Sequence, residues 1–286
     1  MQIIKRGYLS IFIMHAMALL SFGQKQTVVV HSHNDYRQEE PFYMAWKAGV
    51  KSMEADVHER KGKLYVAHTR PLIFKERKTI DNLYLQPLFH QIKDHGKKDS
   101  FRTDAGQLPF FLWIDIKGEF EPTYKALLKA LEPYKPYLCH SLNEEIIWGP
   151  VMIILSGNRD IGKIADADER WVFVDGRSHH VGDSIGFHLM PVISDDYGKI
   201  VKNASDEDSK EKRVERWIQR VEKEGKWSRL WAIPDHPASW KNQWEAGITF
   251  INTDQPGLLS KIIALSRAHS SPTTKQPLRP KPRAPE

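Results

Sequence analysis

The sequence predicts a single-domain α/β protein built as a (β/α)8 TIM barrel, and three observations predict it. Short β-branched or aromatic runs alternate with longer helix-patterned stretches, the order that builds a parallel sheet from βα units. Eight such strand runs can be counted, which is the barrel number. Polar residues then stand at or just past the ends of those runs: His33, Asn34, Asp56, Asp115, Asp175, Asp195 and Asp254. That rim is where barrels carry their chemistry. A doubly wound open sheet shares the periodicity, and the rim residues decide between the two.

In chain order the strand runs are Thr27–Val30, Ser52–Val57, Phe110–Ile116, Val151–Leu155, Trp171–Val174, Leu189–Ile193, Arg229–Ile233 and Phe250–Thr253. Lys63–Ala67 adds an extended run directly after the second. Helical patterns follow the first (Pro41–Ala48), third (Pro122–Leu131), sixth (Asp206–Glu224), seventh (Ala238–Ala246) and eighth (Gly257–Ser266). Pro41, Pro122 and Pro256 stand near helix starts, where a missing N–H is harmless. Neither an internal repeat nor a domain linker interrupts the alternation.

The two ends read differently. Lys5 and Arg6 precede an apolar stretch from Tyr8 to Phe22, closed by Ser21-Phe22-Gly23, which is the pattern of a secretory signal peptide. About 15 apolar residues fall short of the roughly 20 that a membrane span needs. Residues 1–23 are therefore expected to be cleaved and the protein exported to a periplasm or secreted. Residues 268–286 are rich in proline and basic side chains and too poor in large apolar ones to fold, so a flexible tail is expected. The domain is then 24–267, close to the ~250 residues typical of a barrel.

Composition excludes several functions. The net charge of +6 arises largely at the two ends, and the body between them is nearly neutral. A nucleic-acid-binding body is poorly supported on that account, because tracking phosphates needs positive charge on the fold itself. Cys139 is the single cysteine, so neither an intrachain disulfide nor a cysteine zinc site can form. Any metal must use oxygen or nitrogen ligands.

Four pieces carry chemistry. His31-Ser32-His33-Asn34-Asp35-Tyr36 closes a run of three valines, and alternation along a strand lets His31 and His33 share a face. In Glu54-Ala55-Asp56 the same alternation aligns two carboxylates, which repel unless a cation such as Mg2+ or Ca2+ lies between them. His68 ends the apolar run Leu64-Tyr65-Val66-Ala67 shortly after that pair. In Trp113-Ile114-Asp115-Ile116-Lys117, Asp115 and Lys117 share one face: either an isolated ion pair, or a third metal carboxylate beside a phosphate-contacting lysine.

Together these pieces resemble the phospholipase C-like phosphodiesterase superfamily, which includes glycerophosphodiester phosphodiesterases, phosphoinositide phospholipases C and sphingomyelinases D. The resemblance implies a phosphoric diester hydrolase in which His33 and His68 act as acid and base. It implies one divalent cation held by Glu54, Asp56 and Asp115, with Asn34 where the phosphoinositide enzymes use an Asn for calcium. It makes Lys117 a substrate contact. Trp231-Ala232-Ile233 is similar to the family's seventh-strand tryptophan motif, which makes Trp231 a second substrate contact, and Thr253-Asp254-Gln255-Pro256 to its final Thr-Asp-x-Pro. The His-Arg-Gly start and the Glu-Asn-Thr motif of glycerophosphodiesterases are absent.

The implied substrate is a small-molecule or lipid phosphodiester. Contact with a membrane-lipid surface is compatible with it, although no amphipathic helix with a basic face stands out, and no protein partner can be inferred. Two other readings compete. His31-x-His33 also matches the opening of a binuclear hydrolase of the amidohydrolase or PHP type, which needs later histidines, and His179, His180 and His236 are only loosely placed for that. The other is a noncatalytic binding barrel.

Overall fold

The computed structural model describes residues 28–95, 108–205 and 207–270. Twelve strands occur in it, beginning with β1 (Val29–Ser32), β2 (Ser52–Arg60), β3 (Lys63–Val66) and β4 (Phe110–Ile116). A small antiparallel sheet follows from β5 (His140–Leu142), β6 (Glu145–Ile147) and, after β7 (Val151–Gly157), β8 (Glu169–Arg170). The chain continues through β9 (Phe173–Gly176), β10 (Val192–Asp196), β11 (Trp227–Trp231) and β12 (Phe250–Thr253). Strands β1, β2, β4, β7, β9, β10, β11 and β12 pair in parallel in that order, and β12 pairs back onto β1, so the barrel closes. β3 lies antiparallel on β2.

The helices are α1 (Tyr43–Lys47), α2 (Gln86–His95), α3 (Phe120–Leu131), α4 (Ile161–Ala165), α5 (Tyr197–Ile200), α6 (Lys210–Lys223), α7 (Pro237–Ala246) and α8 (Pro256–Ser270). α2, entered through a π-helical turn at Asp81–Leu85, was not expected, because Pro87 and scattered polar residues blur its period. After β9 a single 3-10 turn, Ser178–His180, replaces a helix. Leu189 and Met190 lie in a turn ahead of Pro191, so β10 starts three residues later than its apolar run suggests. The predicted signal peptide and residues 271–286 lie outside the described residues, whereas Ala268–Ser270, expected in the tail, finish α8.

Period-two alternation divides the core into two. Leu112 and Ile114 of β4, with Met53 and Ala55 of β2, pack outward against helices such as α3, through Leu127 and Leu131. The opposite face supplies the interior, whose floor is Val29, Phe111, Met152, Phe173, Val192 and Phe250. Continuing up that same face, each strand turns polar: Val29 to His31, Ser52 to Glu54 and Asp56, Trp113 to Asp115, Trp227 to Arg229, Phe250 to Asn252. An apolar floor under a polar rim is thus written into the alternation.

Candidate active site

Glu54, Asp56 and Asp115 meet because β2 and β4 pair in a register that sets Asp56 beside Asp115. One oxygen from each lies within 4.8 Å of the others. Glu54 and Asp56 are buried and Asp115 is nearly so, so their mutual repulsion is poorly screened. Burial, with the Glu54 charge, pushes the Asp115 carboxyl above its ordinary range against the pull of Lys117. The Lys117 ammonium lies 3.2 Å from Asp115 Oδ1 and 3.4 Å from Asp56 Oδ2. Burial works against its charge, but Asp115 and Asp56 outweigh that and raise its pKa.

A divalent cation fits the remaining geometry. Asp56 Oδ1 is buried and accepts no hydrogen bond, and Asp115 Oδ1, also buried, has the Lys117 ammonium as its neighbour. Carboxylate oxygens left in this state are the hard donors that Mg2+ and Ca2+ take. Gly157 of β7 keeps room for the arrangement: its φ is +70°, and a Cβ there would collide with Asp115 Oδ1. Among the described residues this trio is the one group of His, Cys, Asp or Glu whose ligand atoms are close enough to hold an ion.

The two histidines expected as acid and base flank the trio. His68 Nδ1 lies 2.7 Å from Asp56 Oδ2, and about half of its side chain is open to solvent. His33 sits just past β1, where Asn34 turns the chain through a left-handed conformation, φ 47° and ψ 45°. Its Nδ1 lies 2.8 Å from Asp254 Oδ1, just past β12, and that bond holds the Asp254 carboxyl below its usual range. Asn34 reaches the trio through Tyr36, whose hydroxyl lies 2.8 Å from Asn34 Oδ1 and donates to Asp56 Oδ2 at 2.7 Å. Trp231 ends β11 half-buried on the inward series, and no hydrogen bond or ion pair joins it to the trio among the described residues.

His31 does not share the mouth with His33. It is fully buried one layer lower, 2.8 Å from Ser52 Oγ and 3.1 Å from Glu54 Oε2. Burial, and then the Arg229 charge, push its pKa down to about 3. Arg229 donates to Glu54 Oε2 at 2.7 Å and to Asn252 Oδ1 at 2.7 Å. Burial opposes ionisation of Glu54, but Arg229 and the His31 bond prevail and hold its carboxyl well below the ordinary range. Sequence reasoning assigned no role to Arg229 or Tyr36. The usable signal was an arginine on the face of β11 that points into the barrel, which demands a buried acid.

The other rim acids are structural. Asp175 pairs with Arg177 at 2.6 Å and accepts from Ser156, while Asp195 accepts from the Ser178 backbone. Two of the three histidines that a binuclear centre would draw on are engaged elsewhere: His180 Nδ1 accepts from the Arg177 backbone and His236 Nδ1 from that of Ser239.

Comparison with known proteins agrees with this architecture. The chain is 29% identical over 259 residues to altered inheritance of mitochondria protein 6 homolog of Arthroderma benhamiae, covering 79% of this chain and 81% of that one. It is 27% identical over 292 residues to altered inheritance of mitochondria protein 6 of Kluyveromyces lactis, covering 79% and 70%. A solved glycerophosphodiester phosphodiesterase from Parabacteroides distasonis shares the fold, with a TM-score of 0.50 and 17% identity over 86% of this chain and 100% of that one.

These relatives correct the expectation of export, since they are fungal proteins named for mitochondrial inheritance and not for a secreted or periplasmic role. Residues 22–175 match the family model described as AIM6-like phosphodiesterase domain, a span that contains the acidic trio, His33, His68 and Lys117, and the chain belongs to that family.

Proposed function

We propose that the chain is a metal-dependent phosphodiesterase that cleaves a P–O bond of a glycerophosphodiester or phospholipid-like substrate by paired-histidine acid–base catalysis. The observation that carries this reading is the acidic trio with an unsatisfied Asp56 Oδ1, flanked by two histidines whose Nδ1 atoms are each held by a carboxylate.

Glu54, Asp56 and Asp115 would hold one Mg2+ or Ca2+ in this scheme, with Asn34 joined to Asp56 through the Tyr36 hydroxyl. When bound, the ion neutralises charge that develops on the phosphate oxygens. Asp56 divides its work between its two oxygens: Oδ2 takes His68, Tyr36 and Lys117, while Oδ1 stays open toward the ion site. Lys117 contacts a nonbridging phosphate oxygen, and Trp231 walls the substrate's alcohol portion.

Because Asp254 and Asp56 engage Nδ1 of His33 and His68, proton transfer falls to Nε2 in both rings, that of His33 lying 3.0 Å from Asn34 Nδ2. One imidazole takes the proton of the attacking hydroxyl and the other returns a proton to the leaving alcohol. Each such transfer is typically worth about 10²–10⁴ in rate. Glycerophosphodiesters and phospholipids assayed with and without EDTA test the scheme. His33→Ala, His68→Ala and Glu54→Ala are each expected to lose about 10²-fold or more. Full turnover by His68→Ala, or indifference to chelation, overturns it.

A further inference from the structure

The hairpin above the acidic trio and the loop that follows it hold the most basic stretch of the described barrel. From Arg60 to Lys78 stand seven basic residues, Arg60, Lys61, Lys63, Arg70, Lys75, Arg77 and Lys78, against the single acid Glu76. All seven are exposed. At the tip of the loop Leu72 is 99% and Ile73 73% exposed, the most exposed large apolar side chains among the described residues.

The fold places this segment at the mouth. β2 runs four residues past Asp56 to Arg60, about 13 Å at the rise of a strand, and β3 returns antiparallel beside it. His68 then meets Asp56, and the loop leaves from there.

The loop is anchored on both flanks of its tip. Phe74 packs edge-on against Tyr65, ring centres 4.9 Å apart, with the Arg60 guanidinium 4.5 Å above it. Glu76 binds Lys63 at 2.8 Å, and its carbonyl accepts from Asn82 at 2.7 Å. Leu72 and Ile73 are thus held outward while their aromatic neighbour is turned in.

Scattered exposed leucines are ordinary surface. Two adjacent aliphatic side chains held out by an anchored loop, within a ring of lysine and arginine, match an anionic leaflet: an acyl region for the tips and headgroups for the cations. Nucleic acid fits less well, because its bases ask for exposed aromatic faces and the loop's only ring is occupied.

We propose that residues 60–78 dock the barrel mouth onto an anionic lipid bilayer, Leu72 and Ile73 entering the acyl region and the basic residues meeting the headgroups. Supply of a diester from that leaflet rests on the phosphodiesterase reading; docking itself does not, and binding alone reads it.

The experiment is flotation of the full chain with vesicles of phosphatidylcholine containing about one-third phosphatidylserine, against phosphatidylcholine alone, over a salt series. The unaltered protein is expected to float with the anionic vesicles and to release as salt rises. The double variant Leu72→Ser, Ile73→Ser and the double variant Lys75→Glu, Lys78→Glu are each expected to weaken binding about tenfold or more, with thermal melting unchanged. Failure of the unaltered protein to bind anionic vesicles overturns the proposal, as does equal binding by both variants. Capture by single-stranded DNA without vesicle binding also overturns it. Loss of diesterase activity with vesicle binding intact overturns the reaction and leaves docking standing.

Discussion

Ser52 has one proton to give, and its neighbours decide where it goes. Trp113 Nε1 donates to its oxygen at 3.0 Å, and because the Glu54 carboxylate can only accept from His31 Nε2, the Ser52 hydroxyl turns its hydrogen to His31 Nδ1. The His31 proton is then on Nε2, pointed at Glu54, and a neutral ring agrees with the depressed pKa. Glu54 therefore keeps its charge through Arg229. Arg229→Ala strands that charge in the interior and is expected to cost about 3–5 kcal/mol in denaturant unfolding. Gly157→Ala is expected to cost more than the about 1–2 kcal/mol of its left-handed backbone in denaturant unfolding, because its Cβ would meet the Ile116 backbone as well as Asp115 Oδ1, and to weaken cation binding in calorimetry by displacing Asp115. Residues that carry charge on alternate positions, such as Glu54 with Asp56, are legible in the sequence. Arg229 and Tyr36 are not, because their partners lie on strands far away in the chain and only closure brings them together.

Among the elements, strands were the readable part. β4 and β12 open on apolar and aromatic residues, Phe110–Ile114 and Phe250-Ile251, and fall where their composition puts them. β10 does not, since three of its five residues, Ser194-Asp195-Asp196, are polar because the top of the barrel is polar there. The small β5–β6–β8 sheet escaped notice, because strands of two or three residues hold no period to detect. The loop after β3 shows how one ring organises an element. Phe74→Ala removes the contact with Tyr65 and Arg60, and limited proteolysis is the measurement that exposes it. Trypsin is expected to cut after Lys75 and Arg77 several-fold faster in the variant, as local opening becomes easier.

At the scale of the whole molecule, average charge hid what local charge displays. The body is nearly neutral, yet Arg60 to Lys78 is strongly basic, and acids elsewhere offset it in any sum. Cys139 offers a gauge of the barrel as a unit. It is fully buried, its sulfur lies within hydrogen-bond distance of the Gly149 backbone, and burial pushes its thiol up to about 12. Alkylation at neutral pH is therefore expected to be negligible in the native protein and to rise with denaturant along the unfolding curve followed by tryptophan fluorescence.

The seam between β1 and β12 also orders events in time. His33 N–H bonds the carbonyl of Thr253, and its ring bonds Asp254, 221 positions downstream. A ribosome delivers the first strand well before the last, so every unfinished chain carries an imidazole without its carboxylate and a row of bare amides along an unmated edge. Premature stops before Asp254 thus leave a product that lacks one half of its paired chemistry and tends to stick to its own kind.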